Sequence, residues 1–237
     1  MTVLFRGLFL KIFLSAGVLW LTNQEVKAQT PLPQDFNVSP EVIENSPVWQ
    51  KWLENSPDIL QEIKHQPSFP TRLRVGYSQF PSNNGIGGFS VAVEDVFIAD
   101  TPLSFSARHS SSFNSDNNFE RSATGADLHY YLFPLGNYVN ISPIVGYQSI
   151  RTNGYQTDGV NLGVRLALVL SPNGAGDVFI NQSFVNVGGD DEVGITAVGA
   201  GYAIRKNLRL SGNIEWQNSR QQADSQVSIG VEWFFNR

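Results

Sequence analysis

The chain has 237 residues, a formal net charge of −5 and no cysteine. This length allows one large domain with an appendage. The acidic balance argues against a nucleic-acid partner, because polyanions attract basic patches, and the missing thiols exclude disulfides, thiolate catalysis and thiolate metal sites.

Residues 1–28 have the layout of a secretory signal peptide. Arg6 and Lys11 precede an apolar run from Ile12 to Leu21, and Val26-Lys27-Ala28 offers small residues for cleavage before Gln29. The run is too short to span a bilayer. Its removal leaves 13 Lys and Arg (16 less Arg6, Lys11 and Lys27) against 20 Asp and Glu (21 less Glu25), so the mature chain is more acidic still.

Residues 29–71 are expected to form a linker and two short amphipathic helices. A ten-residue repeat marks them: Glu44-Asn45-Ser46-Pro47 and Glu54-Asn55-Ser56-Pro57. In each copy Ser suits the N-cap, and Pro suits the first helical position, where its missing N–H costs nothing. The spacing predicts helices over 47–54 and 57–65. Val48, Trp49, Trp52 and Leu53 form a stripe on the first, and Ile59, Leu60 and Ile63 on the second. Helices this short need a docking surface. A barrel rim, a membrane interface and a periplasmic partner of residues 44–66 all fit. His65 closes the second helix, where a cation suits the dipole.

From Arg72 onward ten strand-like runs follow, at 72–80, 86–98, 102–112, 121–133, 138–150, 158–170, 176–187, 192–204, 207–217 and 225–235. The faces are clearest late in the chain. Val160, Leu162, Val164, Leu166, Leu168 and Leu170 alternate with Asn161, Gly163, Arg165 and Ala167, and Leu208, Leu210, Ile214 and Trp216 with Arg209, Ser211, Asn213 and Glu215. In the last run Val227, Ile229, Val231, Trp233 and Phe235 share one face, and Ser228, Gly230 and Glu232 the other. Runs 176–187 and 192–204 are ambiguous, because Phe179 and Phe184 fall on opposite faces and Ala and Gly dominate 197–203. Tight turns (Asp100-Thr101, 134–137, 171–174, 205–207) are expected to alternate with longer loops at 81–85, 113–120, 151–157, 188–191 and 218–224. Tyr77, Phe80, Phe97, Phe113, Tyr138, Phe179, Tyr202, Trp216, Trp233 and Phe235 near the run ends predict interfacial girdles.

The signal segment, the alternating strands, the turn-and-loop rhythm and Val231-Glu232-Trp233-Phe234-Phe235 resemble bacterial outer-membrane β-barrel proteins of the small, porin-like class. The resemblance covers about 72–235 and carries no catalytic motif; one departure is that Asn236-Arg237 follow the terminal aromatic. It implies an all-β fold, an up-and-down antiparallel transmembrane β-barrel of about ten strands over 72–237, with both termini periplasmic. It also implies residence in the outer membrane of a Gram-negative-type envelope, contact with outer-membrane lipid, and insertion by the barrel-assembly machinery. The rival is a secreted soluble barrel, which also has one apolar face.

If the polar face lines the lumen, it holds Arg74, Arg108, Arg165 and Arg209 against Glu94, Asp127, Glu215 and Glu232, with His129 beside Asp127. Such a set can fill the interior as an ion-pair network or line a narrow water path; a ten-stranded barrel is small inside. Asp127-Leu128-His129 invites comparison with the omptin outer-membrane proteases, which use Asp and His pairs to activate water. Here the pair lies well inside its strand and no second acidic pair matches. His109 shares the lipid-side face with Phe105 and Ala107. Asp190-Asp191-Glu192 is expected to be a solvated acidic loop rather than a Ca²⁺ site. No catalytic, cofactor or metal residue is assigned. The expected function is an envelope structural role or a narrow porin-like passage for small solutes. The alternatives are a barrel hydrolase using Asp127 and His129, or surface binding through the external loops.

Overall fold

The computed structural model describes residues 45–54, 66–83, 85–99, 101–113, 121–171 and 175–235. One α-helix, α1 (Pro47–Glu54), forms where the first repeat predicts it, and Gln50 N donates to the Ser46 carbonyl at 3.0 Å in its first turn. The expected signal segment 1–28, the second helix over 57–65 and His65 lie outside the described residues.

Ten antiparallel strands follow: β1 (Arg72–Phe80), β2 (Ile86–Phe97), β3 (Leu103–Ser112), β4 (Ser122–Tyr130), β5 (Val139–Arg151), β6 (Gln156–Val169), β7 (Gly176–Val185), β8 (Val193–Arg205), β9 (Leu208–Ser219) and β10 (Ala223–Phe234). Each pairs with its sequence neighbour, and β1 pairs with β10, so the sheet is a closed up-and-down barrel with no free edge. Arg72 opposes Phe234 across the closing seam, so the barrel starts and finishes at one end, called here the terminal end. Gly76 and Gly230 face each other at this seam. A Cβ on Gly76 would lie 2.7 Å from the Ile229 carbonyl oxygen, and one on Gly230 2.8 Å from that of Val75, so the close approach needs both glycines.

The two-residue period of the strands separates outside from inside. Leu162, Val164, Ile180, Leu210, Ile214, Ile229 and Val231 lie exposed on the outer wall, whereas Arg72, Arg209 and Asp95 are at most 1% exposed. A soluble barrel hides its aliphatic face and wets its charges; this one does the reverse. Tyr130, Tyr138, Tyr202, Trp233 and Phe235 are exposed towards the terminal end, and Tyr77, Phe89, Phe113, Phe184 and Trp216 towards the other.

Two expectations are corrected. Phe80, Phe97 and Phe179 are not girdle residues. Phe80 (0% exposed) and Phe179 (8%) point into the barrel, and Phe97 packs on an internal cluster. The contrast of short turns and long loops is also weak. Connections span 98–102, 131–138, 170–175 and 206–207 at the terminal end, and 81–85, 113–121, 152–155, 186–192 and 220–222 at the other. The seemingly long loops shrink because β6, β9 and β10 extend into them.

The interior explains the ambiguous strands. Gly199 and Gly201 face inward on β8; a Cβ on Gly199 would strike the Phe179 ring, and one on Gly201 the Arg209 guanidinium. The small-residue run therefore makes room for large side chains of β7 and β9. Strand β2 carries one irregularity. Its register with β3 shifts between Val93 and Val96, and Asp95 adopts a left-handed φ of 55°. This bulge turns Asp95 inward, where strict alternation would point it out of the barrel beside an inward Glu94.

Candidate functional site

The site is the barrel lumen, which is packed in three tiers. At the terminal end, Arg72 begins β1 and reaches across the barrel. Its Nη1 donates to Asp177 Oδ2 on β7 at 3.2 Å, its Nε to Glu94 Oε2 at 2.8 Å, and its Nη2 lies 3.5 Å from Asp95. Arg209 holds the same Asp177 carboxylate through Nη2 at 2.5 Å and Nη1 at 2.9 Å, and its Nε lies 3.3 Å from Glu232. Arg74 pairs with Glu94 and stands 3.7 Å from Glu232. From β6, Arg165 spans to Asp95 at 3.4 Å. Each buried carboxylate here meets at least two guanidiniums, which is how such charges are held away from bulk water. The guanidiniums of Arg165 and Arg209 also lie over the rings of Phe179 (4.9 Å) and Phe234 (5.5 Å).

An apolar seal closes this end. Phe69, just before β1, is 4% exposed and packs on Tyr131 (ring centroids 4.7 Å) and Phe97 (5.8 Å), beside Leu135 and Val169. Ser68 N donates to the Leu135 carbonyl at 2.9 Å, fixing the incoming chain. Tyr131 Oη donates to Asp95 Oδ1 at 2.6 Å, so the seal and the ion layer share a residue.

The middle tier is polar and looser. Arg108 donates to Gln148 Oε1 at 2.7 Å and lies 3.6 Å from Asp127, which accepts from Asn161 at 2.7 Å. His129 is buried, and its Nδ1 has no hydrogen-bond partner among the described residues. A cavity of about 70 Å³ remains, lined by Arg74, Glu94, Arg108, Asn181, Asn213, Glu215 and Gln226 among others. This is room for a few water molecules. Asn181 Oδ1 and Asn213 Oδ1 are buried without protein partners, an arrangement that ordered water satisfies.

The third tier closes the far end. Arg121, just before β4, reaches across to β10, donating to Asp224 Oδ2 at 2.5 Å and Gln226 Oε1 at 2.8 Å, with its guanidinium 4.2 Å from the centre of the Phe80 ring. Asn83, in the 3₁₀ turn Pro81–Asn83, donates to Asp224 at 3.2 Å. Ala123, Ile150, Tyr155, Val185, Val193 and Ile195 form a buried apolar cluster, and Tyr155 Oη donates to Gln217 Oε1 at 2.7 Å.

Of the residues singled out from sequence, Arg74, Glu94, Arg209 and Glu232 meet in the terminal layer, and Arg108 and Asp127 in the middle tier. Arg165 pairs with Asp95, outside that set, and Glu215 accepts from Gln217 Nε2 at 2.6 Å. Asp127 is engaged by Asn161 and Arg108 and lies inside the barrel with His129. His109 is exposed on the outer wall, 2.7 Å from Thr124 Oγ1. In the acidic loop, Glu192 accepts from Gly188 N at 2.8 Å and Asp190 lies 3.5 Å from Arg220. Among the described residues no His, Cys, Asp or Glu group is placed to hold a metal.

Sequence reasoning missed Arg72, Asp95, Arg121, Asp177 and Asp224. Arg72 shares parity with Arg74, and Asp177 with Phe179, so an inward-face count finds both. Arg121 and Asp224 sit at strand ends that resemble loops. Asp95 is concealed by the bulge.

No protein-family model and no curated protein matches the chain. Solved structures similar to it include the KdgM porin, at 11% identity over 70% of this chain and 99% of that one, with a TM-score of 0.39. Neisserial surface protein A is 16% identical over 71% and 97% respectively, with a TM-score of 0.32. An anion-selective porin from Comamonas acidovorans is 13% identical over 68% of this chain, with a TM-score of 0.36, and this chain spans 55% of its length.

Proposed function

We propose that this chain is an integral outer-membrane β-barrel whose closed lumen gives it a structural role in the envelope. The carrying observation is the pair of cross-barrel layers, Arg72–Asp177 at one end and Arg121–Asp224 at the other, each backed by apolar side chains. A path for solute has to break both. The exposed aliphatic wall supports a lipid surround, since apolar patches of this extent on a protein surface mark a contact with something other than water. In this reading residues 1–28 direct export, 29–71 lie on the periplasmic side with the terminal end, and assembly machinery inserts 72–237. Residues 44–66 then contact the envelope interior or a partner there.

A narrow passage for small solutes is the second reading, favoured by the polar cavity between the two layers. Planar-bilayer recording separates the two. The closed barrel gives no discrete conductance steps, and reproducible steps from the unmodified chain would replace the structural reading with the passage.

A further inference from the structure

One bulge turns Asp95 into the barrel, and a second register shift turns Arg205 out of it. Ala203 on β8 pairs with the inward Arg209, so strict alternation would point Arg205 into the terminal ion layer. That layer already holds the guanidiniums of Arg72, Arg74, Arg165 and Arg209, and another would meet like charge. The register shifts between Ala203 and Arg205 instead, and Arg205 comes to lie opposite Leu208. Leu208 is in turn opposite Trp233, an outward residue that is 58% exposed. Arg205, Leu208 and Trp233 thus form one outward row along the terminal edge of the wall, and Arg205 is exposed there.

Lys206 follows in the turn and is exposed as well. Neither cation has an ionic partner among the described residues, and among these they are the only exposed charges on the terminal rim. Asp100, in the β2–β3 connection, lies outside the described residues. The opposite rim differs in sign: Asp158, Asp190, Asp191 and Glu192 stand there against Arg151 and Arg220. Arg205 and Lys206 sit just beyond Tyr202 and Trp233 of the terminal girdle, the level at which lipid headgroups meet a barrel wall.

We propose that Arg205 and Lys206 hold the phosphodiester of an anionic glycerophospholipid in the periplasm-facing leaflet. The guanidinium offers paired N–H groups to two phosphate oxygens, and the ammonium adds a second positive charge. Charge complementarity selects the headgroup. A zwitterionic lipid brings its own ammonium to a corner with two cations and no described carboxylate to receive it, whereas a net negative lipid is matched. Each basic side chain near an anionic lipid surface favours association by about fivefold. The inference rests on the membrane reading above and on the terminal end facing the periplasm.

The test is native mass spectrometry of the folded, detergent-solubilised full chain with equal amounts of phosphatidylglycerol, phosphatidylethanolamine and phosphatidylcholine. The expected result is retention of phosphatidylglycerol over the other two by on the order of twentyfold. Arg205→Gln lowers that preference about fivefold, and Arg205→Gln combined with Lys206→Gln abolishes it. Arg151→Gln and Arg220→Gln, at the opposite rim, leave it unchanged. Even retention of the three lipids by the native chain, a preference that survives the double change, or one lost through the opposite rim overturns the proposal. Orientation is read separately. A thiol introduced by Lys206→Cys should react with an impermeant maleimide only after the outer membrane of whole cells is permeabilised, and labelling of intact cells defeats the periplasmic placement. A chain that stays monomeric and folded without detergent defeats the membrane reading, so the failures are distinct.

Discussion

Arg72 and Asp177 meet at 3.2 Å although β1 and β7 stand across the barrel from each other. Arg209 grips the same carboxylate, so one aspartate ties two guanidiniums from two walls. Asp177→Asn leaves both arginines buried beside a neutral amide. Breaking a buried pair typically costs about 3–5 kcal/mol, and denaturant unfolding of the protein in lipid vesicles should show a loss of that order. Replacing Arg72 and Asp177 together by Met and Leu should cost less than the sum of the single changes, as a double-mutant cycle reads directly.

Phe69 is the keystone of the terminal seal. Truncating a buried Phe to Ala costs about 3–5 kcal/mol in a well-packed core, and Phe69→Ala should fall towards that range in the same unfolding assay. Its conductance should stay silent, because Arg121–Asp224 still closes the far end. Conductance should appear only when both cross-barrel layers are broken, as in Asp177→Ala combined with Arg121→Ala. Steps from Phe69→Ala alone would show that the far layer is no barrier.

Asp95 holds a backbone conformation that disfavours branched side chains, and it accepts from Tyr131 while facing Arg72 and Arg165. Asp95→Asn keeps the tolerated left-handed φ and loses only charge. Asp95→Val adds backbone strain, on the order of 1–3 kcal/mol. Thermal unfolding should therefore rank native above Asn above Val, and equal destabilisation by Asn and Val would mean that the bulge relaxes.

Two tyrosines outside the strands give a pH dependence. Burial first, and then the nearby carboxylate (Asp95 for Tyr131, Asp224 for Tyr155), push both phenols above their ordinary range. A phenol raised in the folded state stays protonated where the unfolded chain has lost its proton. The stabilisation is thus complete below about pH 10, the unfolded phenol value, and falls as pH rises towards the folded values. Unfolding free energy should decline above that pH, and Tyr155→Phe should flatten part of the decline.

The barrel itself was legible because its signal is local and repeated. Alternations such as Leu208-Arg209-Leu210-Ser211 specify both strand and facing, and ten of them close a sheet. The lumen was only half legible. Arg74, Glu94 and Glu232 follow from parity, but their cross-barrel partners depend on which walls face each other, a property of closure that no strand contains. The Asp95 bulge breaks the parity rule outright. Phe80 and Phe179 were misplaced for another reason. Proximity to a strand end suggests a girdle, whereas inward arginines at 4.2 and 4.9 Å give these rings a place inside.

The absence of cysteine allows single thiols to be introduced one at a time as spin-label sites. Leu162→Cys, Leu210→Cys and Ile229→Cys place labels on the outer wall, and Ser211→Cys places one inside. In vesicles, collision with dissolved oxygen and with a water-soluble nickel chelate reads what surrounds each label. An aliphatic exterior in lipid predicts high oxygen and low nickel contact at the three outer sites, with little contact of either kind at residue 211. Strong nickel contact at residues 162, 210 and 229 would mean that the outer wall faces water, and would contradict a membrane-spanning barrel.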